Sequence, residues 1–594
     1  MGERSDAGMS LETPTDDGAR GSERRRGVAE HLAPWLAGLL LAAPVLVAYY
    51  PPMTDLAFHE AAIGLLRHRN DTALVPPGLY LLNLGEPNQL FYLAGWALSY
   101  VTSTRWAAKL LVAAAVLAIP VCAARLARHA GASRIAALLV TPMALGWLFS
   151  WGLIANLVGL AALLAVLPSL DRFATRPSWP SAVRALGAVL LLYLAHEAMM
   201  FVYGGMAILL AVVCPWSFRR TALRLLPAVF VAFVHEVFIH RVQRFVTPMV
   251  RAVPVVWHSL LHKLGRVPYI VVPATDEVVQ LAMFGLCVLT LAMFFWLRTA
   301  ERQSLAGPST VPRPGEAEPA LDRARAFAHA HRWEVFALAC FALYLAFPAT
   351  LSGSTLVYQR FFPPAYAVLA ATAAPGHLWT SNGRIARWAA LALPVATLLV
   401  CWPSFVDSSR EYEALEDVIA AVAPGSAVAQ VDLGPVDPTR AYSLGPAAGR
   451  VLAIRGGRLA YAFTDSPISP MVLARPYQWN ESLQRLAFDT GALRPAHDLQ
   501  LFEYVLLRAN DPRLELIATV ALHAETDYVT ESGEWLLLRS KLAVVPPTSP
   551  EVPMGDSPTE TLRDRINALI ATVRGDPPPR VPSPDPAATG EHTL

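Results

Sequence analysis

Long apolar runs alternate with short clusters of charge through the first two thirds of the chain. Leu32 to Val47 is apolar, prolines included, and similar runs recur near 106–124, 134–150, 153–168, 183–197, 199–214, 222–238, 278–297, 333–350, 363–379 and 388–403. Each is close to the length that carries a helix across bilayer hydrocarbon, about 20 residues. The pattern predicts about eleven spans. Arg24, Arg25 and Arg26 precede the first, and further basic residues fall at Arg125–Arg128, Arg172–Arg176, Arg219–Arg224 and Arg384–Arg387. The positive-inside rule places those clusters, and the N-terminus, in the cytoplasm. Leu90 to Val101 is a further apolar run, but making it a span would put Arg125, Arg128 and Arg134 outside. Residues 54–103 are therefore expected to lie on, or dip into, the outer surface.

The pattern changes at Ser404. Glu411 to Val422 reads as an amphipathic helix, and Ala427–Val431, Tyr504–Arg508 and Trp535–Arg539 read as strands. The expected division is a disordered cytoplasmic stretch at 1–30, a membrane domain at 31–403, an extracytoplasmic α/β domain at 404–545, and a Pro-rich tail at 546–594 with one short helix at 559–574. The fold class is mainly α: a polytopic helical membrane protein with a small C-terminal α/β domain outside. The first span reads as an uncleaved signal anchor, since no small-residue cleavage site follows it.

Composition agrees. The 594 residues are 54% hydrophobic and only 16% charged, which describes a polytopic membrane protein with a smaller soluble part. A net charge of +2 argues against a nucleic-acid binder. The five cysteines are far apart and lie in or beside apolar runs, with neither metal-ligand spacing nor a disulfide framework. No Walker loop, dinucleotide glycine signature or nucleophile elbow occurs.

The chemistry concentrates just after the first span, in Tyr49-Tyr50-Pro51-Pro52-Met53-Thr54-Asp55-Leu56-Ala57-Phe58-His59-Glu60. The proline pair breaks the helix, and a new one is expected from Thr54 or Asp55. Asp55 and His59 share a face at i,i+4, with Glu60 beside them. Held at the membrane surface, they form a candidate catalytic group; the plainer reading makes Asp55 a helix cap and His59 a wet surface residue. Further ionisable groups cluster at the same predicted side: Arg105 and Lys109, His196 and Glu197, His235 and Glu236, Arg241, and Tyr358 with Arg360. Such groups at membrane depth are costly and tend to be functional. Their plainer readings are wet turns and snorkelling cations.

A first span followed by an acid, Pro- and aromatic-rich surface helices, many further spans and a C-terminal domain resemble the GT-C class of membrane glycosyltransferases. The stretch from Pro76-Pro77-Gly78-Leu79-Tyr80 to Arg105-Trp106-Ala107-Ala108-Lys109 is similar to the region between the first two spans of that class. The resemblance covers residues 30–400 as architecture. It implies a polyprenyl-phosphate-linked sugar donor and a lipid, glycan or protein acceptor on the extracytoplasmic side of a bacterial inner membrane. Asp55 suits a base for the acceptor hydroxyl. Outer arginines, Arg105, Arg241 and Arg360 among them, suit the departing phosphate. The class often has a second acid in a later outer loop; Glu86, Glu197 and Glu236 all stay open for that place. No cofactor is required by the sequence, although Asp55, His59 and Glu60 would suit a divalent manganese or zinc ion. Two alternatives remain at this point: a transporter or lipid flippase, and a non-catalytic membrane scaffold.

Overall fold

The computed structural model describes residues 17–215, 217–242, 255–272, 276–306, 320–351, 355–376, 378, 383–434, 442–466, 468–474, 490–543 and 560–574. All eleven expected runs are helical. Among the described residues, six helices have the length and composition to cross a membrane: Gly27–Val47, Thr104–His129, Ile154–Thr175, Phe218–Phe238, Glu277–Ser304 and Arg384–Ile419. The other five are shorter. Residues 134–150 divide into Arg134–Val140, Thr141–Ala144 and Trp147–Ser150, interrupted around Leu145–Gly146. Trp179–Ala195 and Glu197–Val213 are 17 residues each, and Arg332–Ala346 and Phe362–Thr372 are 15 and 11. Ile154–Thr175 packs centrally, against Thr104–His129, Trp179–Ala195 and Glu197–Val213.

The segment after the first span, expected at the outer surface, folds as two short helices joined by loops and a strand. Its helices are Leu56–His68 and Leu90–Ser99, 13 and 10 residues long. At about 1.5 Å per residue neither can cross the hydrocarbon. Leu56–His68 is instead buried under the C-terminal domain, against the short helix Gly449–Arg455. Two glycines allow that approach. A Cβ on Gly449 would run into the backbone carbonyl of Ala57, and one on Gly64 would lie 2.8 Å from the carbonyl oxygen of Ala453. A strand, Tyr80–Leu82, pairs antiparallel with Met471–Leu473 and forms a second tie to the domain.

The domain holds a five-stranded sheet in the spatial order Arg458–Leu459, Ala427–Asp432, Tyr504–Arg508, Trp535–Ser540, Thr526–Ser532. Ala427–Asp432 is parallel to both neighbours, and the last two pairings are antiparallel. The three central strands, Ala427–Asp432, Tyr504–Arg508 and Trp535–Ser540, are buried on both faces, while the edge strand Thr526–Ser532 is largely exposed. Ala429, Val505, Leu507 and Leu538 pack with Leu562 and Ile566 of the final helix, Leu562–Arg574. The alternate residues Val428, Leu506 and Leu537 belong to the same core as the membrane helices. The expected boundary at 404 falls inside one continuous 36-residue helix, Arg384–Ile419, whose Phe405, Tyr412 and Leu415 join that core. Span and domain therefore share a rod.

The helix contact at Gly449 yields a direct test. Gly449→Ala forces a methyl into backbone, and overpacking of this kind typically costs about 1–3 kcal/mol. A Cβ on Gly285 would meet nothing within 4 Å, so that residue supplies the control. Thermal unfolding in detergent should show a lower midpoint for Gly449→Ala and no loss for Gly285→Ala.

Candidate active site

The first span ends beside Ala48, and Thr54 and Asp55 lie across the turn between Trp147–Ser150 and Ile154–Thr175. Thr54 donates its backbone N–H (2.8 Å) and hydroxyl (3.0 Å) to the Ser150 carbonyl, and the hydroxyl accepts from the Ser443 N–H at 2.9 Å. Asp55 N–H donates to the Trp151 carbonyl at 3.2 Å. Gly152 makes this turn with φ +74°, and a Cβ there would lie 2.5 Å from the Asp55 nitrogen, so glycine is required twice over.

Asp55 stands at the cap position of Leu56–His68, yet its side chain makes no capping hydrogen bond. The plainer reading of this residue therefore lacks its defining contact. Burial pushes the carboxyl up to about 7. A carboxyl poised there can exchange a proton near neutral pH. The phenol of Tyr92 and that of Tyr412 both feel its charge.

His59 and Glu60 have different surroundings. His59 is buried among Phe91, Tyr92 and Phe463. Its Nδ1 lies 2.7 Å from the Tyr92 hydroxyl and its Nε2 lies 3.0 Å from the Gly152 carbonyl. Burial outweighs the Gly152 hydrogen bond and pulls the imidazole down to about 3, so it is neutral at physiological pH. Glu60 is fully buried and accepts from Thr104 Oγ1 (2.8 Å), Tyr50 Oη (3.1 Å) and the Arg450 guanidinium. Arg450 also grips Glu416, which accepts from Tyr49 and sits 3.4 Å from Arg105 Nη1. Asp55, His59 and Glu60 thus point to different partners. Among the described residues no three His, Cys, Asp or Glu side chains gather as a metal-ligand set, and the residues do not fit the three-ligand ion that the sequence allowed.

A second polar group lies at the break between Trp179–Ala195 and Glu197–Val213. His196 has extended backbone, and its Nδ1 accepts from the Ala198 N–H at 3.2 Å. Asn88 Oδ1 accepts from the Glu197 N–H at 2.9 Å, tying this break to the loop that precedes Leu90–Ser99. The Glu197 carboxylate interacts with Arg360 and His235. Arg360 is half-buried; its Nη2 donates to the Thr355 carbonyl at 3.2 Å, and its Nε has no hydrogen-bond partner among the described residues. His258 reaches Tyr358 Oη at 3.2 Å, and the buried Lys263 ammonium donates to the carbonyls of Leu345 and Phe347, each at 2.6 Å. An apolar cavity of about 420 Å³ opens between Glu197–Val213 and Arg332–Ala346, lined by Phe201, Val202, Cys340, Phe347 and Phe361.

The remaining candidates separate. Arg105 stacks on Tyr49 at 4.0 Å, and Lys109 donates to the Ala48 carbonyl, so both close off the end of the first span. Glu236 is exposed. The Arg241 side chain, with Arg244 and Arg251, lies outside the described residues. Sequence reasoning missed Tyr92, Gly152 and Arg450. Only Gly152, in the polar break Ser150-Trp151-Gly152 between apolar runs, carried a local signal. At the other end of the bundle Arg332 binds Asp171 with both Nε (2.6 Å) and Nη2 (3.0 Å), beside His129 at 2.8 Å.

Comparison with solved structures finds ArnT from Cupriavidus metallidurans bound to undecaprenyl phosphate, at 11% identity, a TM-score of 0.50, and coverage of 88% of this chain and 99% of that one. No family model and no curated protein matches. The chain is an integral membrane protein with a GT-C-like architecture.

The ion pair at Glu60 can be tested apart from any activity. Removing one partner of a buried pair typically costs about 3–5 kcal/mol because the other charge is stranded. Arg450→Met and Glu60→Gln should each lower the unfolding midpoint, and the double variant should lose less than the sum.

Proposed function

We propose that the protein transfers a sugar from a polyprenyl-phosphate-linked donor to an acceptor on the extracytoplasmic side, with Asp55 as general base. The observation that carries this reading is a half-buried carboxyl at the helix start that makes no capping hydrogen bond, pushed up to about 7 by its surroundings. The GT-C-like fold supports it, as does the undecaprenyl phosphate bound to the similar structure. In the step, Asp55 takes the hydroxyl proton of the acceptor as the acceptor oxygen bonds to the anomeric carbon. The bond from that carbon to the phosphate oxygen breaks, its electron pair staying on phosphate, and polyprenyl phosphate leaves.

Arg360 suits the phosphate, since an arginine can offer two parallel N–H groups. The apolar cavity lined by Phe361, the next residue in the chain, suits the first units of the prenyl chain. His196, Glu197 and His235 would then face the sugar end. Glu60, Arg105 and Lys109 are reassigned to holding the surface helix and the first span. Basic residues at Arg125–Arg134 and Arg172–Arg176 support a cytoplasmic placement for the far end, which puts the C-terminal domain outside. Reporter fusions at residues 130 and 450 should read opposite sides of the membrane, and the same side for both would sink the assignment of every site residue.

Asp55→Asn tests the chemistry. Loss of a general base typically costs about 10²–10⁴ in rate. The substitution should abolish consumption of polyprenyl-phosphate sugar by the purified protein while the fold persists. A transporter or flippase would leave the donor unconsumed even in the unaltered protein. Stability carries an opposite sign. Because folding raises the Asp55 value from 3.8 to about 7, the stability this group contributes is present below pH 4 and is lost as pH rises through 7. Asp55→Asn should therefore raise the melting midpoint at pH 8 relative to the unaltered protein, with the gain shrinking toward pH 5. A variant that melts lower at every pH and turns over normally would make Asp55 a structural residue.

A further inference from the structure

The short helix Leu260–Gly265 has its burial inverted. Leu260, Leu261 and Leu264 are exposed, Leu261 at 82%, and the residue this helix buries is Lys263, at 1%. A lysine is almost never fully buried unless its charge is matched. Here the match is made by carbonyls. The ammonium donates to Leu345 and Phe347, each at 2.6 Å. Both lie at the C-terminal end of Arg332–Ala346, where unpaired carbonyls and the helix dipole favour a cation. The same ammonium stands 4.9 Å from the centre of the Tyr358 ring, close enough for a cation–π contact.

These contacts join two parts of one site. The Phe347 side chain lines the apolar cavity with Phe361, and their rings lie 4.9 Å apart. Tyr358 opens the short turn Tyr358–Phe361, which carries Arg360. Three holds fix Tyr358. Its ring lies under Lys263, its hydroxyl is 3.2 Å from Nδ1 of His258, and its N–H donates to the Pro348 carbonyl at 3.2 Å. Lys263 is tied down in turn. The Tyr344 hydroxyl donates to its carbonyl, and upstream the Val256 carbonyl accepts from Ala349 N–H at 2.7 Å. Val256 N–H donates to Thr350 Oγ1 at 2.9 Å. One ammonium therefore sets the spacing between the cavity wall at Phe347 and the turn that holds Arg360.

We propose that Lys263 is a positioning residue for the lipid donor: it fixes Arg360 relative to the apolar cavity, so that phosphate and prenyl chain are bound in one register. This rests on the reading of Arg360 as the phosphate ligand and of the cavity as the prenyl site. Lys263 itself is committed to the two carbonyls and the ring, and acts through Tyr358. A turn released from it could still meet a phosphate, but only by being ordered during binding, which lowers affinity.

Binding of undecaprenyl phosphate and of undecaprenol to the purified full-length protein in detergent tests this. Undecaprenol has the chain without the phosphate, so Arg360 adds nothing to its affinity. Lys263→Met keeps the stem and removes the ammonium. It should weaken undecaprenyl phosphate by about tenfold, the scale of re-ordering one or two side chains, and leave undecaprenol unchanged. Lys263→Arg keeps a cation with several donors and should lose less. Arg360→Ala should weaken undecaprenyl phosphate as well, and adding Lys263→Met to it should cost nothing further. Unfolding is recorded for each variant. If Lys263→Met does not fold, His258→Phe, which breaks another hold on Tyr358, takes its place in the same cycle with the same outcomes. Normal binding of undecaprenyl phosphate by the folded variant, an equal loss for both lipids, or a loss that adds in full to that of Arg360→Ala would overturn the proposal. Normal binding by Arg360→Ala would remove the phosphate reading, and this proposal with it. A weakened Arg360→Ala beside an unaffected Lys263→Met would strike the positioning role alone.

Discussion

A buried ion pair joins the two halves of this chain. Glu60 lies on the surface helix after the first span, and Arg450 lies on a short helix of the C-terminal domain. Burying either alone would cost several kcal/mol, so each makes the position of the other necessary. Around the pair, Tyr50, Thr104 and Glu416 supply the remaining hydrogen bonds, and those residues come from the end of the first span, the start of the second and the last membrane helix. Glycines at 64 and 449 bring the helices close enough for the pair to form. The geometry of residues 54–60 is thus decided by contacts from four separate parts of the chain.

Two carboxylates on this stretch have opposite fates, and the difference is pairing. Glu60 is fully buried with the Arg450 guanidinium against it, an ion pair that occupies it structurally. Asp55, five residues earlier, is half-buried and has no ion-pair partner or capped N–H among the described residues, and desolvation raises its proton affinity. Such an arrangement lowers stability at neutral pH, as sites held for chemistry commonly do. Sequence alone ranks the two acids together, because spacing on a helix says nothing about what arrives from 390 residues away.

The legible part was the periodic part. Apolar runs located every membrane helix, and alternation located the strands at 427–432, 504–508 and 535–540. Charge argued against a span at 90–101, which would have inverted every later basic loop, and the helix there is only 10 residues long. Helix lengths were less legible: the break near Gly146 and the 11 residues of Phe362–Thr372 depend on packing, which hydropathy does not record. Among site residues, position near the first span found Asp55, and clustering of charge at one end brought out the Glu197–Arg360–His235 group. Arg105 and Lys109 were chosen for the same reason, but they bind the neighbouring ring and carbonyl. Tyr92 and Arg450 lay in stretches whose local pattern reads as ordinary helix, and only the fold brings them to the site.

The C-terminal domain is better understood as one wall of the site than as an appendage. One face of its sheet is continuous with the membrane core through Val428, Leu506 and Leu537. Its Ser443 N–H binds Thr54, its Phe463 ring stands edge-on to His59 at 4.8 Å, and its Arg450 neutralises Glu60. The carboxyl of Asp55 is raised because water is excluded around it, and part of that exclusion comes from these domain residues. A membrane domain without this wall would leave Glu60 without its cation and Asp55 wetter, with a proton affinity nearer that of an ordinary aspartate. The basicity on which the proposed reaction depends is therefore a property of the assembled chain, set by the contact between a helix 13 residues long and a domain that begins more than 300 residues later.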